Sequence, residues 1–359
     1  MANYSKKPNR RVPFSSKIHT NDLSVSYCIS SFETIILSER HWCKIVHELH
    51  LQKTQTMKRF HTILILSICI GLPTALFGQG YVSSEYLSSS SLRDEAGGRF
   101  GSGAMWRFSG RYTLSLSVKR NDRGQLVAWS ATLNCTYASL QNESAAAALN
   151  PDRILNTSLN VSHLRPISER WSLIASLGCG IYAVPSQIAW RSILANGAVI
   201  FVYKLRENLD IGVGAGLTNS FGVPMILPMG YLNWRTSGKY EIRVDMSSGL
   251  KVTAAKWLNR KFKLELTAIE MDGISSVMRI GGKSKIYSST MMRSTLSPTF
   301  CISPKASVYF GIGGNWLRSI RISDRDFGGF LDSFREDGHD FGVSLRVTAG
   351  FNLALIHIS

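Results

Sequence analysis

The feature that most constrains this chain is a period-two alternation of apolar and polar side chains, repeated in long runs beyond residue 80. In residues 111–119, Tyr112, Leu114, Leu116 and Val118 fall on one side, and Arg111, Thr113, Ser115, Ser117 and Lys119 on the other. Residues 127–137 place Val127, Trp129, Ala131, Leu133, Cys135 and Tyr137 together. The same rhythm recurs in 171–181, 209–218, 240–247 and 341–352. Successive side chains of a strand point to opposite faces, so each run predicts a strand with one apolar and one wet face. Such runs are longer than the roughly 5–6 residues of an ordinary globular strand. They suit the ~9–11 residues of a tilted membrane strand.

Two sheets could bury these apolar faces in a soluble sandwich. The wet face argues for a barrel instead: it is rich in Gly, Ser, Thr and Asn with charges of both signs, as a lumen lining would be. Links also alternate. Brief ones fall at 121–124, 166–170, 206–208, 236–239, 258–261 and 303–305, and longer ones near 92–105, 138–152, 183–192, 273–284 and 323–339. The predicted fold is therefore all-β: a single transmembrane antiparallel β-barrel of fourteen strands, with twelve as the alternative, short periplasmic turns and longer extracellular loops.

The N-terminal residues do not share the pattern. Met57, Lys58 and Arg59 precede an apolar run from Ile63 to Leu72 that ends at Pro73 and a small-residue zone. That is the form of an export signal over 57–79, and it is short for a membrane helix, which needs about 20 residues. Residues 1–56 then read as a spurious, disordered extension upstream of a start at Met57, and 80–359 as the barrel. The expected location is the outer membrane.

The chain carries 41 Lys+Arg against 24 Asp+Glu, a formal +17. The cations are scattered along strands and turns, so the charge predicts anionic lipid headgroups rather than nucleic acid as partner. Beyond residue 80 only Cys135, Cys179 and Cys301 remain, without CxxC or Cys/His ligand spacing, so no metal or cofactor is expected.

The signal segment, the alternating strands, the repeated starts Glu169-Arg170-Trp171-Ser172-Leu173 and Arg260-Lys261-Phe262-Lys263-Leu264, and the Phe-bearing last strand resemble outer-membrane β-barrel proteins. More narrowly, residues 80–359 resemble an uncharacterised porin-like barrel family of Gram-negative bacteria. The resemblance implies outer-membrane lipid, lipopolysaccharide and the barrel assembly machinery as partners. One departure stands out: such barrels usually end on an aromatic residue, whereas Phe351 is followed here by eight residues ending in Ser359.

Charged residues expected on the lumen side are Arg111, Lys119, Lys204, Asp210, Glu241, Arg243, Asp245, Lys263, Glu265 and Arg346. They could filter solutes or form cross-strand ion pairs that hold the barrel. Trp129, Trp171, Trp234, Tyr240, Trp257 and Phe262 are expected in an interfacial aromatic girdle. The run Gly212-Val213-Gly214-Ala215-Gly216 mimics a dinucleotide fingerprint, yet it lies inside an alternating strand and reads as relief of crowding on the inner face. His163, on the apolar face, is the one candidate for lipid-hydrolase chemistry, without an identifiable acid partner. The expected function is a passive pore for small polar solutes, not an enzyme. A structural or adhesion barrel with an occluded lumen is the alternative, and a lipid-modifying enzyme the third reading.

Overall fold

The structure is a computed structural model that describes residues 78–93, 97–219, 225–246, 249–332 and 338–353. The strands in chain order are β1 (Gly78–Arg93), β2 (Arg99–Arg120), β3 (Leu126–Ser144), β4 (Arg153–Pro166), β5 (Trp171–Ala183), β6 (Ile193–Arg206), β7 (Leu209–Thr218) and β8 (Met225–Arg235). They continue as β9 (Tyr240–Asp245), β10 (Leu250–Trp257), β11 (Phe262–Ile280), β12 (Lys283–Cys301), β13 (Ala306–Asp324), β14 (His339–Phe341) and β15 (Ser344–Leu353). Two short helices, α1 (Ala146–Leu149) and α2 (Phe327–Asp332), sit in links. Sequence neighbours pair antiparallel, and β15 pairs with both β13 and β1, which closes the sheet. β14 and β15 are two pieces of one stave interrupted at Gly342 and Val343, so the cylinder has fourteen staves. Closure leaves every stave with two neighbours, the arrangement that satisfies backbone groups without water.

The alternation is realised as read. Leu133, Leu159, Leu177, Val199, Val213 and Ile312 are exposed on the outer wall, while Thr113, Thr132, Asn134 and Ser158 meet one another inside. Soluble monomers rarely expose contiguous apolar surface on this scale. The apolar belt is the surface that meets acyl chains.

The staves differ in height. β2 has 22 residues and β3, β11, β12 and β13 have 19 each, whereas β9 has 6 and β10 has 8. Above the belt the polarity of the tall staves inverts. Ala138 and Leu140 of β3, Ile274 of β11, Tyr287 and Met291 of β12 and Ile320 of β13 point inward and are buried in one cluster with Leu87, Leu92, Met105, Ile154 and Phe341. Their outward neighbours are Ser139, Gln141, Ser275, Ser288, Thr290 and Ser319. A polar exterior around an apolar interior is what a sheet needs in water, so the tall staves leave the bilayer and continue as a filled, water-exposed extension. Each fully buried Leu, Ile or Met contributes roughly 1.5–3 kcal/mol.

This inversion corrects several expected boundaries. The long link placed at 273–284 is strand up to a two-residue turn, Gly281-Gly282, where φ values of 57° and 81° need glycine. The link at 138–152 shrinks because β3 runs to Ser144, and the one at 92–105 shrinks because β2 begins at Arg99. Independently of the inversion, β1 opens at Gly78 and Gln79, the last two residues of the segment read as an export signal, which pair with Leu114 and Thr113. The remainder of that segment, and residues 1–56, lie outside the described residues.

Candidate functional site

The inner wall carries a row of polar residues set in direct register from stave to stave. Lys204 of β6 faces Asp210 of β7, which faces Asn233 of β8, then Asp245 of β9, Lys251 of β10, Glu270 of β11, Arg293 of β12 and Asn315 of β13. Charges of both signs thus follow one line around the lumen.

Where the row reaches β11 and β12 it becomes a buried ion cluster. Glu85 of β1, only 4% exposed, receives Arg107 Nε at 2.8 Å and Arg293 Nη1 at 2.7 Å, and Arg346 Nε also contacts it. Arg107 Nη1 reaches Asp272 Oδ2 at 3.0 Å, which ties β2 to β11 across the lumen. Arg293, with no exposed surface, also touches Asp272. Arg346 Nη2 lies 2.7 Å from Glu270 Oε2, and Lys251 Nζ lies 3.5 Å from Glu270 Oε1. Three guanidinium groups therefore face three carboxylates with most donors and acceptors matched. Burying a charge is tolerable only on those terms, and removing one partner typically costs about 3–5 kcal/mol. Beside Arg293, the fully buried Asn315 amide has no hydrogen-bond partner for Oδ1 or Nδ2 among the described residues. At the next inward position of β13, Arg318 lies 4.2 Å from the Phe341 ring centroid, and Tyr287 donates its hydroxyl to Asn150 Oδ1 at 2.9 Å.

A second group lies near the short-link end. Lys263 Nζ is 2.9 Å from Glu265 Oε2 and 3.9 Å from Glu241 Oε2, which Arg243 Nη2 approaches at 3.9 Å. Trp257 Nε1 donates to Glu241 Oε1 at 2.7 Å. Trp257 therefore departs from the expected girdle: it follows Thr253 and Ala255 on the inner face of β10 and pairs with Lys263. Arg111 donates to Asn134 Oδ1 at 2.7 Å on the inner wall. A bulge between Ser115 and Ser117 shifts parity, so Lys119 stands opposite Val127 rather than in line with Arg111. Trp129, Trp171, Trp234, Tyr240 and Phe262 all lie beside short links. Trp129 stacks on His163 at 4.2 Å, Trp171 lies 5.0 Å from Tyr203, and Lys256 covers the Tyr240 ring at 5.7 Å. The described partners of His163 are this ring and the Ala128 carbonyl, 3.2 Å from Nδ1. They hold the imidazole in the aromatic rim.

Of the residues singled out from sequence, Lys204, Asp210, Asp245 and Arg346 join the row or the cluster. Glu85, Arg107, Lys251, Glu270, Asp272 and Arg293 were not anticipated. Glu270 and Asp272 follow a bulge between Thr267 and Glu270 that puts inward residues three apart instead of two, and Arg293 adjoins a Met-Met pair without parity of its own. Arg107 alternates with Arg111 and was legible on that count.

A closed cylinder with an apolar exterior and a charged interior defines a transmembrane β-barrel protein. Within that class the chain belongs to a family described as a domain of unknown function, DUF6268, which matches residues 74–354. No curated protein matches the chain. Among solved structures, the COG4313 outer membrane channel from Pseudomonas putida F1 is similar at 8% identity and a TM-score of 0.40, over 77% of this chain and 96% of that one. The NanC porin is similar at 8% identity and a TM-score of 0.30, over 77% and 100%. The KdgM porin in complex with disordered oligogalacturonate gives 7% and 0.26 over 77% and 99%. At these values the likeness carries nothing about cargo.

Proposed function

We propose that the protein is an outer-membrane channel for small polar solutes whose resting state is narrowed by the ion cluster. The observation that carries this reading is the continuous polar row from Lys204 to Asn315, which gives the lumen an ionic belt that a structural cylinder does not require. The unpartnered Asn315 amide supports it, since a buried amide needs water or a solute to complete its hydrogen bonds. Export through a signal beginning at Met57, and partners in lipid, lipopolysaccharide and the assembly machinery, belong to the same reading.

A second reading, a surface-structural barrel with a shut lumen, draws on the complete burial of Arg293 and the apolar cluster above it. Planar-bilayer recording of the refolded protein separates the two. The channel reading expects small stepwise openings, enlarged at least twofold by Arg107→Ser, which cuts the tie between Glu85 and Asp272. A folded barrel that is silent both as wild type and as Arg107→Ser establishes the structural reading.

A further inference from the structure

Inside the filled extension one cation has no counter-charge among the described residues. In the cluster below it, Arg107, Arg293 and Arg346 are matched by Glu85, Glu270 and Asp272. Arg318 of β13 is 2% exposed, and its Nε and Nη2 atoms have no hydrogen-bond partner. Carboxylates near this end are engaged elsewhere. Asp324 pairs with Lys285 Nζ at 3.0 Å, Glu143 accepts from the Ser102 hydroxyl at 2.7 Å, and Asp326 accepts from the Gly329 N–H at 2.7 Å. An arginine cannot shed its charge on burial, and a buried charge is tolerated only when it is paired.

A bulge brings this charge inside. The register of β12 with β13 steps from Arg293–Asn315 to Met292–Leu317, so Trp316 is an extra residue of β13. Asn315 is buried before the bulge, and Arg318 and Ile320 are buried after it. Core packing accounts for Ile320, which joins the apolar cluster with Tyr287 and Met291. It does not account for a guanidinium at 318, where an apolar side chain would fill the same interior without desolvating a charge.

The surroundings fix the guanidinium and leave one edge of it unused. Its Cζ lies 4.2 Å from the centroid of the Phe341 ring. It also meets the hydroxyl of Tyr287, which is itself held by Asn150 Oδ1 at 2.9 Å. What remains is the Nε–Nη2 edge, the side that offers two parallel N–H groups to two oxygens of a carboxylate or phosphate. Further polar groups without partners share this inner surface. Ser289 lies two positions from Tyr287 on β12 and Ser276 lies opposite Tyr287 on β11, each 1% exposed with an unpartnered hydroxyl. His339, two positions before Phe341 on β14, adds an unpartnered Nδ1. Buried polar groups left open by the chain call for a partner from outside it.

We propose that the extension holds a buried oxyanion, a carboxylate or phosphate group gripped through two oxygens by the Nε–Nη2 edge of Arg318 and capped by the hydroxyls of Ser276 and Ser289. The anion neutralises the surplus guanidinium. Because the site is buried, it is captured as the extension folds and exchanges slowly afterwards. This goes beyond the channel reading and does not depend on it.

Retention of a labelled anion tests it. The full chain is refolded into uncharged maltoside micelles in chloride buffer containing radiolabelled orthophosphate or, separately, radiolabelled acetate, and free label is removed by gel filtration. Folded wild type should keep at least one label tenfold above Arg318→Met, and the label kept tells a phosphate from a carboxylate. Arg318→Lys keeps the charge but lacks the paired N–H edge, and should lose at least fivefold. Arg111→Met, a lumen cation outside the site, should change retention less than twofold. Folded wild type that keeps neither label overturns the proposal, as does retention that the Arg318 variants leave intact. If Arg318→Met fails to fold, Arg318→Lys decides. A barrel silent in bilayers that keeps the label would remove the channel and leave this site, and a conducting one without label the reverse.

Discussion

Glu85 illustrates how much one side chain can hold. It gathers Arg107, Arg293 and Arg346 from three other staves, so Glu85→Gln leaves three guanidinium groups against Glu270 and Asp272. The expected loss is about 3–5 kcal/mol, read as a shift in urea unfolding of the refolded barrel. Arg111→Met, whose described side-chain bond is to the neutral Asn134, should change stability by less than about 1 kcal/mol. The residue scale is also where sequence reading was weakest. A lumen charge is visible when its neighbours at i±2 share its character, as around Arg243. It is hidden when a bulge adds one residue, because every later side chain then changes face, as happens before Glu270 and before Lys119.

At the scale of the element, period two identified nearly every stave because lipid on one side and polar contents on the other impose it. Stave ends were missed where the environment changed but the strand did not. Alternation in β3 continues past Tyr137, yet the apolar parity switches from odd to even positions as Ala138 and Leu140 take the inside. A pattern that reverses looks like a pattern that stops, which is why residues 138–144 and 273–280 were expected as loop. The reversal makes a test within one strand. Leu133→Arg, on the outer face inside the belt, should cost about 2–4 kcal/mol. Ser139→Arg, six positions further on that same face, should stay within about 0.5 kcal/mol. Equal penalties in bilayer unfolding titrations would mean that the apolar belt extends past Ser139.

For the whole molecule, fourteen staves and their order follow from alternation and link lengths, whereas the unequal heights do not, since they depend on which strands leave the bilayer together. Strands rise about 3.3 Å per residue, and a tilt near 40° leaves roughly 2.5 Å of that along the barrel axis. Staves of about 20 residues then climb some 50 Å, twice the ~25 Å apolar band. The tall ones, β1 to β3 and β11 to β13, are contiguous around the circumference through β15. Seen from outside the cell, the rim is consequently a crescent and not a ring: a parapet on one flank and a low sill on the other. Atomic force topographs of supported bilayers should show a lopsided ridge over each particle, and shortening the parapet by deleting residues 276–287 should level it. A macromolecule approaching from solution would meet the parapet first.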